Sequence, residues 1–250
     1  MIRILFLLFF SLPLLAVVVI KPREVGEKPG ISGELSGAFE TKRGNTDKDN
    51  YAASLDLQFD SNTSYVIWGV VRGEYGEANG VKNTNNLFSH LRHIHNVLGS
   101  NVALELFGQL EEDEFKSIRD RALGGAGMRW KVLNKGKDEW GGLFVGLGAY
   151  YEYIGYSTDL DPLERNGRLN GYLAYTLPFN SKGLFTAVAY YQPKIDDFND
   201  YYLSASAQVD VNIYKQLFIG FSVAYTYDSM PAVGIKKEDI AQNTLFQFKF

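Results

Sequence analysis

From Gly30 almost to Phe250, apolar and polar residues alternate with a period of two. In residues 201–213, Tyr201, Leu203, Ala205, Ala207, Val209, Val211 and Ile213 share one face. Tyr202, Ser204, Ser206, Gln208, Asp210 and Asn212 share the other. Residues 51–60 set Tyr51, Ala53, Leu55, Leu57 and Phe59 against Ala52, Ser54, Asp56, Gln58 and Asp60. Residues 31–42 and 217–228 repeat the pattern, with Ile31, Leu35 and Phe39 in the first and Leu217, Ile219, Phe221 and Val223 in the second. Alternation this strict predicts half-buried strands rather than helices. Soluble strands usually run about 5–6 residues, whereas a tilted strand crossing a bilayer needs about 9–11. The pattern predicts about twelve strands of the longer kind. The stretches 88–97 and 184–192 are the least regular, with neither face clearly apolar.

The connections are expected to alternate in length. Short turns fall near residues 60–64, 98–101, 179–183 and 214–216, with a somewhat longer one at 133–139. Longer polar stretches fall at 43–50, 77–85, 157–166, 194–200 and 228–239. Short turns at one end and long loops at the other suit a membrane barrel, and an even strand number puts both termini at the short-turn end. Aromatic residues close several apolar faces, as at Tyr51 and Phe59, Tyr65 and Tyr75, and Tyr225 and Tyr227. That is the pattern of interfacial girdles.

The two ends of the chain extend this reading. Residues 1–20 begin with a basic Arg3 and continue as an apolar run broken only by Ser11 and Pro13. This predicts an export signal peptide, the alternative being a retained anchor. Residues 21–29 are polar, contain Pro22 and Pro29, and are expected to form a flexible lead-in to a barrel domain over 30–250. At the other end Phe246, Phe248 and Phe250 alternate with Gln247 and Lys249. A last strand of this kind resembles the signal that the outer-membrane barrel-assembly machinery reads.

Composition narrows the class further. The chain has 17 Phe, 16 Tyr, 25 Gly, only 7 Pro and no Cys. This mixture suits strands and excludes disulfides, thiolate metal sites and a lipidated cysteine. The net charge of −4, with signs interspersed, shows no basic footprint for nucleic acid. A soluble secreted β-protein would share the alternation. The export signal, strand length, loop asymmetry and terminal Phe favour instead a closed antiparallel transmembrane β-barrel in the outer membrane of a Gram-negative bacterium.

Two short segments carry a family resemblance. Between the first two strands lies Gly44, Asn45, Thr46 and Asp47, and further on Arg121, Leu123, Gly125, Gly127 and Arg129 occupy alternate positions. Both resemble the YdiY-like family of salt-induced outer-membrane proteins, a domain of unknown function (481). The resemblance implies an outer-membrane barrel and names no activity.

The polar faces supply the candidate site. On the assigned registers the lumen holds Glu34, Glu40, Asp56, Arg72, Glu74, Glu105, Arg121, Arg129, Glu152, Arg168, Asp210 and Lys249. Opposite charges are expected either to pair and fill the space or to line a pore, since twelve strands lie between filled small barrels and open large ones. His93 and His95 share a face and could meet a metal, but two His at this spacing fall far short of a zinc signature. Ser89 beside His90 invites a lipid-hydrolase reading. Adjacent strand residues point to opposite faces, so the two cannot pair. The acidic stretches 157–165 and 194–200 lack ordered calcium-loop spacing and are expected to be solvated. The sequence therefore predicts a monomeric, non-enzymatic barrel without cofactor or metal. Its partners are membrane lipid, the assembly machinery and, in an alternative reading, small hydrophilic solutes passing through a narrow channel.

Overall fold

The computed structural model describes residues 22–42, 47–97, 101–134, 142–179 and 182–250. The expected signal segment 1–20 and the tip residues Gly44, Asn45 and Thr46 lie outside these, while Asp47 lies within. Twelve strands form one closed antiparallel sheet: β1 (Gly30–Lys42), β2 (Lys48–Asp60), β3 (Tyr65–Ala78), β4 (Val81–Asn96), β5 (Val102–Asp113) and β6 (Ile118–Asn134), followed by β7 (Gly142–Tyr156), β8 (Glu164–Phe179), β9 (Gly183–Pro193), β10 (Tyr201–Tyr214), β11 (Leu217–Asp228) and β12 (Glu238–Lys249). Each strand pairs with its sequence neighbours, and β12 returns to β1. Closure removes the edges that would otherwise expose unpaired backbone.

The faces sort as the alternation demands. Ile31, Leu35, Phe39, Leu55, Leu57, Leu87, Leu91, Leu106, Leu147, Phe221 and Val223 are exposed on the outer surface. Glu105, Glu152, Arg168, Asp210 and Gln247 are buried on the inner one. An exterior of apolar side chains around an interior of buried charge inverts the soluble pattern and suits lipid outside. Aromatic contacts gather near both rims. Tyr191, Tyr201 and Tyr227 stack across β9, β10 and β11 at 5.6 Å per step. Phe59, Tyr65 and His93 do the same at the opposite rim, at 6.1 and 5.4 Å.

The structure corrects one connection of the sequence reading and adds to it on the inner face. The stretch 77–85 is not a long loop: β3 and β4 run on to a two-residue turn at Asn79 and Gly80, with φ of +51° and +74°. Both turn positions take the left-handed conformation that such a hairpin requires. The irregular stretch at 88–97 belongs to a strand of 16 residues. Its inner face holds Phe88, His90, Arg92 and Ile94, all buried. The inner surface is aromatic as well as charged, for Trp68, Phe144, Tyr150 and Tyr172 are also buried there. Among the described residues, the long connections are 157–163, 194–200 and 229–237, all at one end of the barrel.

The seam between β1 and β12 is the shortest ladder. It pairs Glu34 with Lys249, Leu35 with Phe248, Ser36 with Gln247 and Gly37 with Phe246. Phe250 and Gly33 then exchange backbone hydrogen bonds of 2.9 and 3.0 Å. A side chain at Gly33 would meet the Phe250 ring at 2.6 Å, so this glycine makes room for the terminal aromatic.

Candidate functional site

The interior is organised in layers of ion pairs set among rings. In the layer nearer the long loops, Glu152 on β7 accepts from Arg121 on β6 at 3.1 and 2.8 Å and from Nε of Arg168 on β8. Arg121 also donates to Glu111 at 3.1 Å. Arg168 donates to the Asp200 carboxylate at 2.8 Å and to its carbonyl at 3.2 Å. Both guanidiniums face the Tyr202 ring, at 5.0 Å for Arg121 and 4.0 Å for Arg168. Asp200 thus turns inward from the loop 194–200, a correction to the expectation that this stretch is merely solvated. A buried guanidinium requires this many acceptors to offset its lost hydration.

The layer nearer the termini centres on Glu105 on β5. It meets Arg92 at 3.4 Å and Arg129 at 3.5 Å, and Tyr172 donates its hydroxyl at 2.8 Å. Arg92 lies over Phe107 at 5.2 Å, and Arg129 over Phe144 at 4.9 Å. Tyr172 lies flat because Gly146 is opposite, where a side chain would meet the ring at 1.9 Å. Smaller sets complete the wall. Lys249 donates to Asp210 at 3.0 Å and lies 3.6 Å from Glu34, to which Gln247 donates at 2.8 Å. Arg72 pairs with Glu74 at 3.0 Å, and Glu40 accepts from Lys48 at 2.8 Å.

The short motif on β6 is read by this geometry. Arg121, Leu123, Gly125, Gly127 and Arg129 face inward at alternate positions, and the two arginines enter different layers. A side chain at Gly125 would meet Phe107 and Tyr150 at 2.6 Å, so the missing Cβ admits two rings between the charges.

Residues 22–29 enter the terminal mouth, a correction to the reading of this stretch as a flexible lead-in. Arg23 donates to Asp56 on β2 at 2.6 Å, and Glu24 accepts from Lys131 on β6 at 2.6 Å. Val25 packs on the cluster of Val66, Trp68, Ile94 and Ala103. The backbone N–H of Gly26 donates to both Asp60 oxygens at 2.9 Å, and that of Lys28 donates to one at 3.1 Å. What space is left around this segment is small, in three cavities of about 10, 30 and 70 Å³.

At the long-loop end the interior widens into a vestibule of about 220 Å³. Tyr156, Tyr190, Tyr202 and Tyr227 line it, with Lys116, Arg121, Glu111, Asp228 and Asp239. The loop 229–237 roofs it and is pinned where Asp161 accepts from the Val233 N–H at 3.1 Å.

The remaining candidates separate. His90 is buried inward against Trp68 at 5.1 Å, while Ser89 lies on the outer face of the same strand. His93 and His95 also point outward, 6.1 Å apart ring to ring. Among the described residues no three His, Asp or Glu side chains gather as a metal-ligating set. Sequence reasoning missed Arg92, Tyr172, Asp200, Tyr202 and the pairs made by Arg23 and Glu24. The alternation of Phe88, His90, Arg92 and Ile94 was the available signal for Arg92.

A closed sheet with an apolar exterior and a charge-paired interior defines an integral β-barrel of the outer membrane. The chain belongs to the family described as protein of unknown function, DUF481, whose model matches residues 35–250. Among solved structures it is similar to the KdgM porin, with 11% identity over 88% of this chain and 99% of that chain and a TM-score of 0.45. It is similar to the NanC porin at 11% identity, covering 88% and 98% of the two chains, with a TM-score of 0.48. The translocator domain of the autotransporter NalP from Neisseria meningitidis matches at 10% identity over 88% of each chain, with a TM-score of 0.43. No curated protein matches the chain.

Proposed function

We propose that this protein is a closed, non-enzymatic barrel that serves the outer membrane as a structural component of the salt-stress type, without a freely diffusing path at rest. The observation that supports this most is the shared burial of Glu152 by Arg121 and Arg168. A conducting pore keeps its charges hydrated, whereas here a carboxylate with no exposure is saturated by two guanidiniums. In this reading Glu34, Asp56, Arg72, Glu74, Glu105, Arg129, Asp210 and Lys249 are likewise fillers of the lumen. No catalysis is proposed: Ser89 and His90 face opposite sides of the wall. The barrel works as a monomer surrounded by lipid, and Phe246, Phe248 and Phe250 carry its insertion signal.

The second reading, a narrow channel for small hydrophilic solutes, is favoured by the vestibule of about 220 Å³. Planar-bilayer recording of the refolded protein decides between them, with folding checked by heat-modifiable gel migration. Silence from folded protein is expected. Stable stepwise conductance in the wild type would overturn the closed reading in favour of the channel.

A further inference from the structure

We propose that residues 22–29 are a removable stopper in the periplasmic mouth, and that withdrawing them opens a path for small dipolar solutes as far as a septum at Tyr190. The inference rests on the reading of the barrel as closed at rest.

The segment is held differently from the wall around it. It joins no strand ladder. Its contacts include two ion pairs, the Arg23 guanidinium over the Trp68 ring at 5.8 Å, one apolar side chain and backbone N–H groups given to Asp60. The ion pairs reach walls four strands apart, Asp56 on β2 and Lys131 on β6, so this short stretch spans part of the mouth. It is tied to the sheet at one end, through Gly30, whose φ of +90° turns the chain out of the lumen into β1. Nothing lies within 4 Å of where a side chain at Gly30 would sit, which leaves room for a hinge.

The three small terminal-side cavities all take part of their lining from this segment: Pro22 and Arg23 in one, Glu24 and Val25 in the next, Glu27 and Lys28 in the third. Removing the stopper merges them into one space open to the periplasm. Above that space the Glu105 layer remains, in which Arg92, Arg129, Tyr172 and Tyr190 close the bore. Tyr190 borders both the innermost of these cavities and the vestibule, and it stacks on Tyr172 at 5.2 Å. Tyr190 is the side chain of this layer that lines both compartments.

Withdrawal also sets the chemistry of the path. It removes the segment's donors from Asp56 and Asp60 on β2, and its acceptor from Lys131, beside Arg129, on β6. Acidic groups on β2 and basic groups on β6, four strands apart, suit a solute carrying both signs, and pass small ions with little preference between cation and anion.

The absence of Cys allows a clean test. In the full chain, Val25→Cys is compared with the same substitution combined with Arg23→Ala and Glu24→Ala, each refolded and checked by heat-modifiability. A membrane-impermeant maleimide is expected to label the combined variant about ten-fold faster, because the anchoring contacts are gone. Arg23→Ala with Glu24→Ala and Tyr190→Ala, in the cysteine-free chain, is expected to show stepwise conductance with weak ion selectivity. Equal labelling rates, or silence from the folded Tyr190→Ala combination, overturn the stopper while leaving the closed barrel standing. Conductance in the wild type that these substitutions leave unchanged overturns both.

Discussion

Glu152 and Arg168 pair inside the barrel with side-chain exposures of 0% and 1%, and Arg121 completes the set from the next strand. Glu152→Gln removes the charge that both guanidiniums share. Breaking a buried pair costs about 3–5 kcal/mol, because a charge is left uncompensated. A loss near the lower figure is expected in urea unfolding of the refolded barrel, since Asp200 and Glu111 still serve the two arginines. Glu111→Gln removes a more exposed partner and is expected to cost about 1 kcal/mol or less. Equal losses from the two variants would argue against a buried network.

Gly146 and Tyr172 form a second testable pair, because a methyl at Gly146 overlaps the Tyr172 ring. Gly146→Ala is expected to destabilise by about 1–3 kcal/mol through overpacking. Tyr172→Ala removes the ring, so adding Gly146→Ala to it should cost much less than in the wild type. A double-mutant cycle in urea reads this coupling directly.

The C-terminal aromatics coincide with the seam. Phe246 and Phe248 are paired to Gly37 and Leu35, and Phe250 lies over Gly33. Deleting Phe250, or substituting Gly33→Ala, should therefore impair closure as well as any recognition of the last strand. The deletion is expected to lower the amount of heat-modifiable protein in cell envelopes and to slow refolding in detergent. A defect in cells with normal refolding would assign Phe250 to recognition alone.

Burial within the stopper pushes the Glu27 carboxyl above its ordinary value of 4.5, with Arg23 and Lys28 opposing that shift and Glu24 adding to it. The docked segment therefore favours the protonated acid. The contribution of Glu27 to docking is fully present below 4.5 and is lost as pH rises through the raised value. Lys249, Asp210 and Glu34 line the same cavity and share its field. Maleimide labelling of Val25→Cys, taken as a ratio to a fully exposed cysteine so that thiolate formation cancels, should rise from acid to neutral pH, and Glu27→Gln should flatten that ratio.

The middle of the vestibule roof is pinned by Asp161, which accepts from the Val233 N–H, while Asp228 and Tyr201 hold its start at Met230 and Ser229. Asp161→Ala should free the loop 229–237 and speed trypsin cleavage at the exposed Lys236 and Lys237. The cleaved barrel is expected to keep its heat-modifiable migration, because the ladders of β11 and β12 lie outside the loop.

The strands were legible in the sequence because lipid and lumen impose a local rule: each residue's face follows from the parity of its position. Tyr201 to Ile213 could be sorted from the chain alone, and so could the even-numbered Phe residues at the C-terminus. Where the rule blurred, as from Phe88 to Ile94, the interior was aromatic and the two faces matched in polarity. The turn at Asn79 and Gly80 was hidden because polar strand ends project beyond the membrane, where alternation is no longer enforced. The sequence by itself determined the barrel and which residues point inward. Only the tertiary structure decided that Glu152 lies between Arg121 and Arg168, that Asp200 returns from a loop to join them, and that residues 22–29 enter the mouth. Within the wall, such pairings follow from registers around a closed circumference, which brings together positions distant in the chain, as with Gln247 and Glu34.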